Sequence, residues 1–172
     1  MPNTPIVLLV LVPSIALLFF AALHDVALRT VPNIVPALLI VAGAVLRLST
    51  GGLLMGLLCM ILVFAVTAFC WHRGWMGGGD VKLYAACALL VPPPLVMNFI
   101  LASALAGGVL ALIYLGLRAV TPVRPNGVRP QRFLARLIRA ERRRVRRGGP
   151  LPYASAIALG AICVLFPSLV NV

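Results

Sequence analysis

Long apolar runs separated by polar stretches leave this chain little choice of fold. Residues 6–23, 53–71, 83–117 and 151–170 carry no charged side chain, and residues 34–46 form a shorter run of the same kind. About 18 or more apolar residues suffice for a helix to cross a bilayer. In hydrocarbon no water is present to pair with the backbone, and a helix satisfies its own N–H and C=O groups. The composition agrees. The 172 residues are 62% hydrophobic, and the mean hydropathy is +1.10. These values exclude an ordinary soluble domain. They predict an all-α, polytopic integral membrane helix bundle. Its apolar segments must pack on one another, so residues 1–172 are expected to form a single domain with a basic loop at 118–150.

The spacing of the polar breaks predicts about six crossings. The first span, residues 6–23, is roughly 27 Å of helix, with Pro13 inside it as a kink point. A polar break from His24 to Asn33 follows. Residues 34–46 are short for a span, and Pro36 falls in the first turn, where proline is tolerated. That helix is expected to run past Arg47, whose long side chain can snorkel to the membrane interface. Ser49-Thr50-Gly51-Gly52 reads as a turn before the third span, residues 53–71, and residues 72–82 as a glycine-rich loop. Residues 83–117 correspond to roughly 52 Å as one helix, too long for one crossing. Pro92-Pro93-Pro94 must divide them. The piece before the prolines covers less than half the bilayer unless it kinks and runs on. Residues 95–117 and 151–170 supply the last two spans.

Charge sets the expected orientation. The net charge is +12, and most arginines fall between Arg118 and Arg147. Basic loops mark the cytoplasmic side of membrane proteins, and such a segment suits anionic lipid rather than nucleic acid. Within it, Phe133, Leu134, Leu137 and Ile138 recur at helical spacing, as in an amphipathic surface helix. Counting back from this loop puts 24–33 and 72–82 on the same side, with Arg29, Arg73 and Lys82. Only Arg47 falls on the other side. A cleaved signal peptide is not expected, because residues 1–5 lack a basic side chain. Cys59, Cys70, Cys87 and Cys163 form no CxxC pair, so neither a metal site nor a disulfide framework is expected.

The count also brings two rare residues to one face. Asp25, Asp80 and Glu141 are the only acids in the chain. An ionisable group at the edge of a bilayer is costly and marks function. Two adjacent carboxylates divide into one protonated and one ionised, because the first ionisation raises the second pKa. The ionised member can take a proton from water while the neutral one donates to a scissile carbonyl. Gly77, Gly78 and Gly79 precede Asp80. They allow backbone angles closed to other residues and leave no side chain between a peptide and the carboxyl. A proton- or cation-coupled transporter using Asp25 and Asp80 is the alternative, although transporter sites sit near the midplane. A non-catalytic assembly subunit is a third class.

The strings around these acids resemble those of bacterial type IV prepilin peptidases. Asp25, Arg29, Pro32 and Asn33 are similar to the family's first aspartate motif. Gly77-Gly78-Gly79-Asp80-Val81-Lys82-Leu83 resembles its second, a GxGD motif shared with presenilin-like proteases. Leu151-Pro152-Tyr153-Ala154, followed by Ala156-Ile157-Ala158, is similar to the start of the family's last span. The resemblance covers essentially the whole chain and looks closest to the short peptidases of tight-adherence pilus systems. It implies catalytic aspartates at Asp25 and Asp80 and no cofactor. Gly77, Gly78, Gly79, Lys82, Arg29, Pro32 and Asn33 are implied as supporting residues. It also implies removal of a short basic leader from prepilins or pseudopilins, at the cytoplasmic face of the bacterial inner membrane. The sequence lacks the added N-terminal domain and paired CxxC motifs of the long members, so their N-methylation is not expected. Lys82 and Arg29 also suit interface anchoring, as do Trp71 and Trp75 in an aromatic belt. Pro32 and Asn33 are expected to start the second helix, with asparagine capping nearby.

Overall fold

The computed structural model describes residues 4–120 and 151–170. Among them the secondary structure is helical: α1 (Thr4–Leu28), α2 (Ile34–Ser49), α3 (Leu53–His72), α4 (Gly78–Leu90), α5 (Val96–Val120) and α6 (Tyr153–Val170), with a 3-10 turn at Pro93–Leu95. The all-α bundle expected from hydropathy is therefore present. Three segments are long and apolar enough to cross a membrane: Pro5–Leu28, Leu53–His72 and Pro93–Leu117. The chain is a membrane protein. The amphipathic pattern at Phe133–Ile138, and Glu141 with it, lies outside the described residues. The chain divides into two compact units, Met1–Ala106 with Pro152–Val172, and Gly107–Leu151. The core and the candidate site belong to the first.

At the centre of that unit is α4, which packs on α3, α2 and α6. Val81 and every residue from Leu83 to Leu90 are buried. A helix apolar around its whole circumference has no face to offer solvent and goes to the middle. The small residues Ala85, Ala86, Cys87 and Ala88 let its neighbours approach. Helices α1 and α6 pack together, and α1 also meets α2. Near the middle of α6, a Cβ on Gly160 would lie 2.6 Å from the Ser103 nitrogen of α5, so only glycine fits this crossing. Alongside, the Tyr84 and Ser103 hydroxyls are hydrogen-bonded, and the Tyr84 ring tilts against Phe99 with centroids 5.0 Å apart.

Pro92-Pro93-Pro94 divides the long apolar run as expected, but α4 does not run on. It stops at Leu90 after 13 residues, about 20 Å of helix. Proline has no N–H and clashes with a preceding helical turn, so three in succession end the helix outright. The other boundaries move the acids out of loops and into helices. The first span continues through Asp25 to Leu28, and α4 begins two residues before Asp80.

A further correction concerns Arg47. Helix α2 continues past it to Ser49, as its sequence suggests, but the side chain does not snorkel outward. Arg47 is buried, and its Nη2 donates to the Leu90 carbonyl at 3.1 Å.

Candidate active site

Three chain segments meet at one end of this unit: the α1–α2 connection, the approach to α4 and the start of α6. The first is shaped by Arg29. Its N–H bonds to the Asp25 carbonyl at 2.8 Å, and its φ is +58°. This is the left-handed ending of a helix, a position usually held by glycine. For an arginine it costs on the order of 1–2 kcal/mol. The turn brings Thr30 back to His24, whose Nδ1 donates to the Thr30 carbonyl at 2.7 Å. Pro32 then leads into α2, its carbonyl accepting the Val35 N–H at 3.0 Å.

Asn33 occupies the N-cap of α2, but its side chain makes no capping bond. The expected cap is replaced by a tie between segments: Lys82 Nζ donates to Asn33 Oδ1 at 2.9 Å. Lys82 and Asn33 therefore join the α1–α2 connection to the first turns of α4.

The glycines before Asp80 act through close approach, not through unusual backbone angles. Gly77 is extended at φ −74°. The glycines with positive φ are Gly51 and Gly74 among the described residues. A Cβ on Gly77 would sit 3.0 Å from Asp80 Oδ2, one on Gly78 3.4 Å from Trp71 Nε1, and one on Gly79 3.2 Å from Val31 Cβ. Each glycine thus clears a different neighbour: the carboxyl itself, the end of α3, and the α1–α2 connection. Asp80 is the third residue of α4, and its carboxyl receives a hydrogen bond from the Gly77 backbone. The geometry is that of the reaching-back half of a capping box.

Asp25 is held differently. It is buried, at 5% exposure. Its Oδ2 accepts the Ala154 N–H at 3.1 Å. That N–H belongs to the first turn of α6, among the donors with no partner inside their own helix. The positive end of the helix dipole lies in the same place and favours a carboxylate. Pro152, fully buried, precedes this turn, and its carbonyl receives the Ser155 N–H at 3.2 Å. The string Leu151-Pro152-Tyr153-Ala154 gives no sign of this role for Ala154. A backbone donor leaves no trace in residue type. The only signal is the proline placed just before an apolar run.

The two carboxyls influence each other. Burial first, and the charge of Asp25 second, push the Asp80 carboxyl up from 3.8 to about 6, against the Gly77 hydrogen bond, which lowers it. Asp80 lies outside the three helices long enough to cross, in the first turn of the short α4. The structure thus brings together Asp25, Asp80, Gly77, Gly78, Gly79, Lys82, Pro32 and Asn33, with Arg29 turning the chain between them. Trp71, Val31 and Ala154 are additions to that set. Among the described residues no group of three or more His, Cys, Asp or Glu side chains is placed to hold a metal.

A family model for type IV leader peptidases matches residues 13–112. The chain belongs to that family. The matched segment contains both aspartates and all three glycines, and it ends before the basic loop. No curated protein and no solved structure matches the chain. Family membership makes the chain a peptidase of the leader-processing kind.

Proposed function

We propose that this protein is an aspartyl endopeptidase of the GxGD type that removes the basic leader from prepilins or pseudopilins. In this reading it spans the inner membrane and works at its cytoplasmic face. The observation that carries the reading is the pairing of a buried Asp25, held by the Ala154 amide, with an Asp80 whose carboxyl keeps its proton up to about 6. Paired carboxyls with different surroundings divide acid and base roles between them.

Asp25 is the base. It accepts the Ala154 N–H at 3.1 Å and takes a proton from the attacking water. Asp80 is the acid and donates its proton to the scissile carbonyl oxygen. The water oxygen bonds to the carbonyl carbon and a neutral gem-diol forms. In the second half the proton on Asp25 passes to the peptide nitrogen, a diol hydroxyl returns its proton to Asp80, and the C–N bond breaks. Both carboxyls end as they began. The three glycines leave room for an extended peptide beside Asp80. The basic residues between 118 and 150 suit anionic lipid. No cofactor takes part.

A transporter reading has no comparable support, because both acids lie at one end of the bundle and not at mid-depth. The test is reconstitution of the purified chain in liposomes with a synthetic prepilin. Mass spectrometry is expected to show one new amino terminus at the junction of leader and apolar helix. Intact prepilin after prolonged incubation contradicts the proposal.

A further inference from the structure

The C-terminal end of α4 poses a problem that the site chemistry does not use. A helix leaves its last four carbonyls without intrahelical partners, and these are normally met by N–H groups of the residues that follow. Here the following residues are Val91, Pro92, Pro93 and Pro94. The Val91 N–H bonds back to the Cys87 carbonyl at 2.9 Å, and the three prolines have no N–H to give. The next donor, the Leu95 N–H, is already bonded to the Pro92 carbonyl at 2.8 Å. Leu89, Leu90 and Val91 are fully buried, so bulk water does not complete the turn.

Arg47 meets the last of these carbonyls. It arrives from the final turn of α2 and donates to Leu90 at 3.1 Å, placing a cation at the negative end of the α4 dipole. Its Nε is buried without a hydrogen-bond partner among the described residues. A guanidinium buried so incompletely paired is costly, so the contact it does make is specific rather than incidental. Two glycines open the joint. A Cβ on Gly56 would lie 2.9 Å from Arg47 Cγ, and one on Gly43 would lie 3.0 Å from both the Leu89 side chain and the Leu90 nitrogen. Helices α2 and α4 therefore run in the same direction and are tied at both ends, by Asn33–Lys82 at one and Arg47–Leu90 at the other.

We propose that Arg47 is a positioning residue for Asp80: by gripping the far end of α4 it fixes the axial height of that helix, and so the placement of Asp80 against Asp25. A helix transmits such a constraint because it is stiff along its axis. From Leu90 to Asp80 is about 15 Å at 1.5 Å per residue. The groups facing Asp80 are Asp25 from α1 and Tyr153 from α6, with Lys82 on its own helix turned to Asn33. A slip of α4 moves Asp80 relative to all of them.

The rate readout rests on the peptidase reading, and a second readout does not. Asp25 and Asp80 are the only aspartates in the chain, so carboxyl-labelled aspartate gives two carbon-13 signals whose titrations follow the pair directly. In Arg47→Met we expect kcat per folded molecule to fall about tenfold with KM within about twofold, as for a small misplacement of a reacting group. The Asp80 titration, assigned by its loss in Asp80→Asn, is expected to move down from about 6 as that carboxyl leaves Asp25 for water. Arg47→Lys keeps the charge and a donor on a shorter stem and is expected to fall between. Should Arg47→Met not fold, Arg47→Lys carries the test alone, with both readouts still displaced from wild type. Unchanged carboxyl titrations in a folded variant overturn the proposal, as does a loss confined to the yield of folded protein. If the wild type cleaves no prepilin, the peptidase reading fails while the carboxyl titrations still decide the role of Arg47.

Discussion

Asp25 and Ala154 stand 129 positions apart in the sequence, yet the Ala154 N–H reaches Asp25 Oδ2 at 3.1 Å. The contact joins the last turn of the first helix to the first turn of the last. It gives the two aspartates unequal surroundings. Asp25 is met by a backbone donor at a helix start, whereas Asp80 reaches back only to its own helix start at Gly77.

That inequality has a consequence for stability. The Asp80 carboxyl titrates at about 6 in the folded protein against an ordinary value of 3.8. Between these values the folded state binds more protons than the unfolded one, so Asp80 lowers stability progressively as pH rises through that window. The Asp80→Asn variant cannot ionise. It is expected to melt a few degrees above wild type at pH 7.5, with the difference closing near pH 4. Thermal unfolding in detergent at the two pH values checks the sign.

Activity is expected to follow the same proton. Asp80 is the proposed acid, so kcat/KM reports its protonated fraction in the free enzyme. It should fall as pH rises above about 6, approaching about tenfold per pH unit. A rate that climbs steadily from pH 6 to pH 8 would contradict Asp80 as the acid.

The approach of Gly79 to the α1–α2 connection predicts a rescue. A Cβ at Gly79 would lie 3.2 Å from Val31 Cβ, close enough to displace the connection by a few tenths of an ångström. Gly79→Ala is expected to lower kcat by about tenfold. Adding Val31→Gly removes that Cβ together with the rest of the side chain and should restore most of the loss. An additive pair of defects in the double variant would mean that the two residues do not interact.

Recognition of the substrate is expected to be apolar. The enzyme carries a net charge of +12, so its long-range field repels a basic leader. Selection must then come from the substrate's apolar helix packing beside the helices that carry the aspartates. Neutralising the leader's basic residues should slow cleavage less than a polar substitution in the first turns of that helix. Cleavage rates on both substrates in the same liposomes distinguish the two.

Much of this architecture was legible in the sequence, and the part that was not has a physical pattern. The apolar runs and the triple proline revealed a helical bundle, because hydropathy and the missing proline N–H act locally. The polar breaks, counted in order, brought Asp25 and Asp80 to one end. Contacts between helices were not legible. Asn33 carries a capping residue's side chain, yet a lysine from another helix takes its oxygen. Arg47 sits where an interfacial arginine is expected, yet the unpaired end of α4 draws it inward. Gly77, Gly78 and Gly79 read as backbone freedom beside Asp80, although Gly79 is pressed by Val31 of the α1–α2 connection, a contact that sequence does not show. The short length of α4 is tolerable because it is enclosed by protein and need not satisfy lipid.

The central claim is that Asp25 and Asp80 together perform peptide hydrolysis, and single substitutions test it most directly. Asp25→Asn and Asp80→Asn keep the shape of each side chain and remove its proton chemistry. Each protein, reconstituted in liposomes with a synthetic prepilin, is expected to cleave at least about 10²–10⁴-fold more slowly than wild type, the usual contribution of a general acid or base. Membrane insertion and helix content should be unchanged. Cleavage by either variant at near the wild-type rate would contradict the paired mechanism.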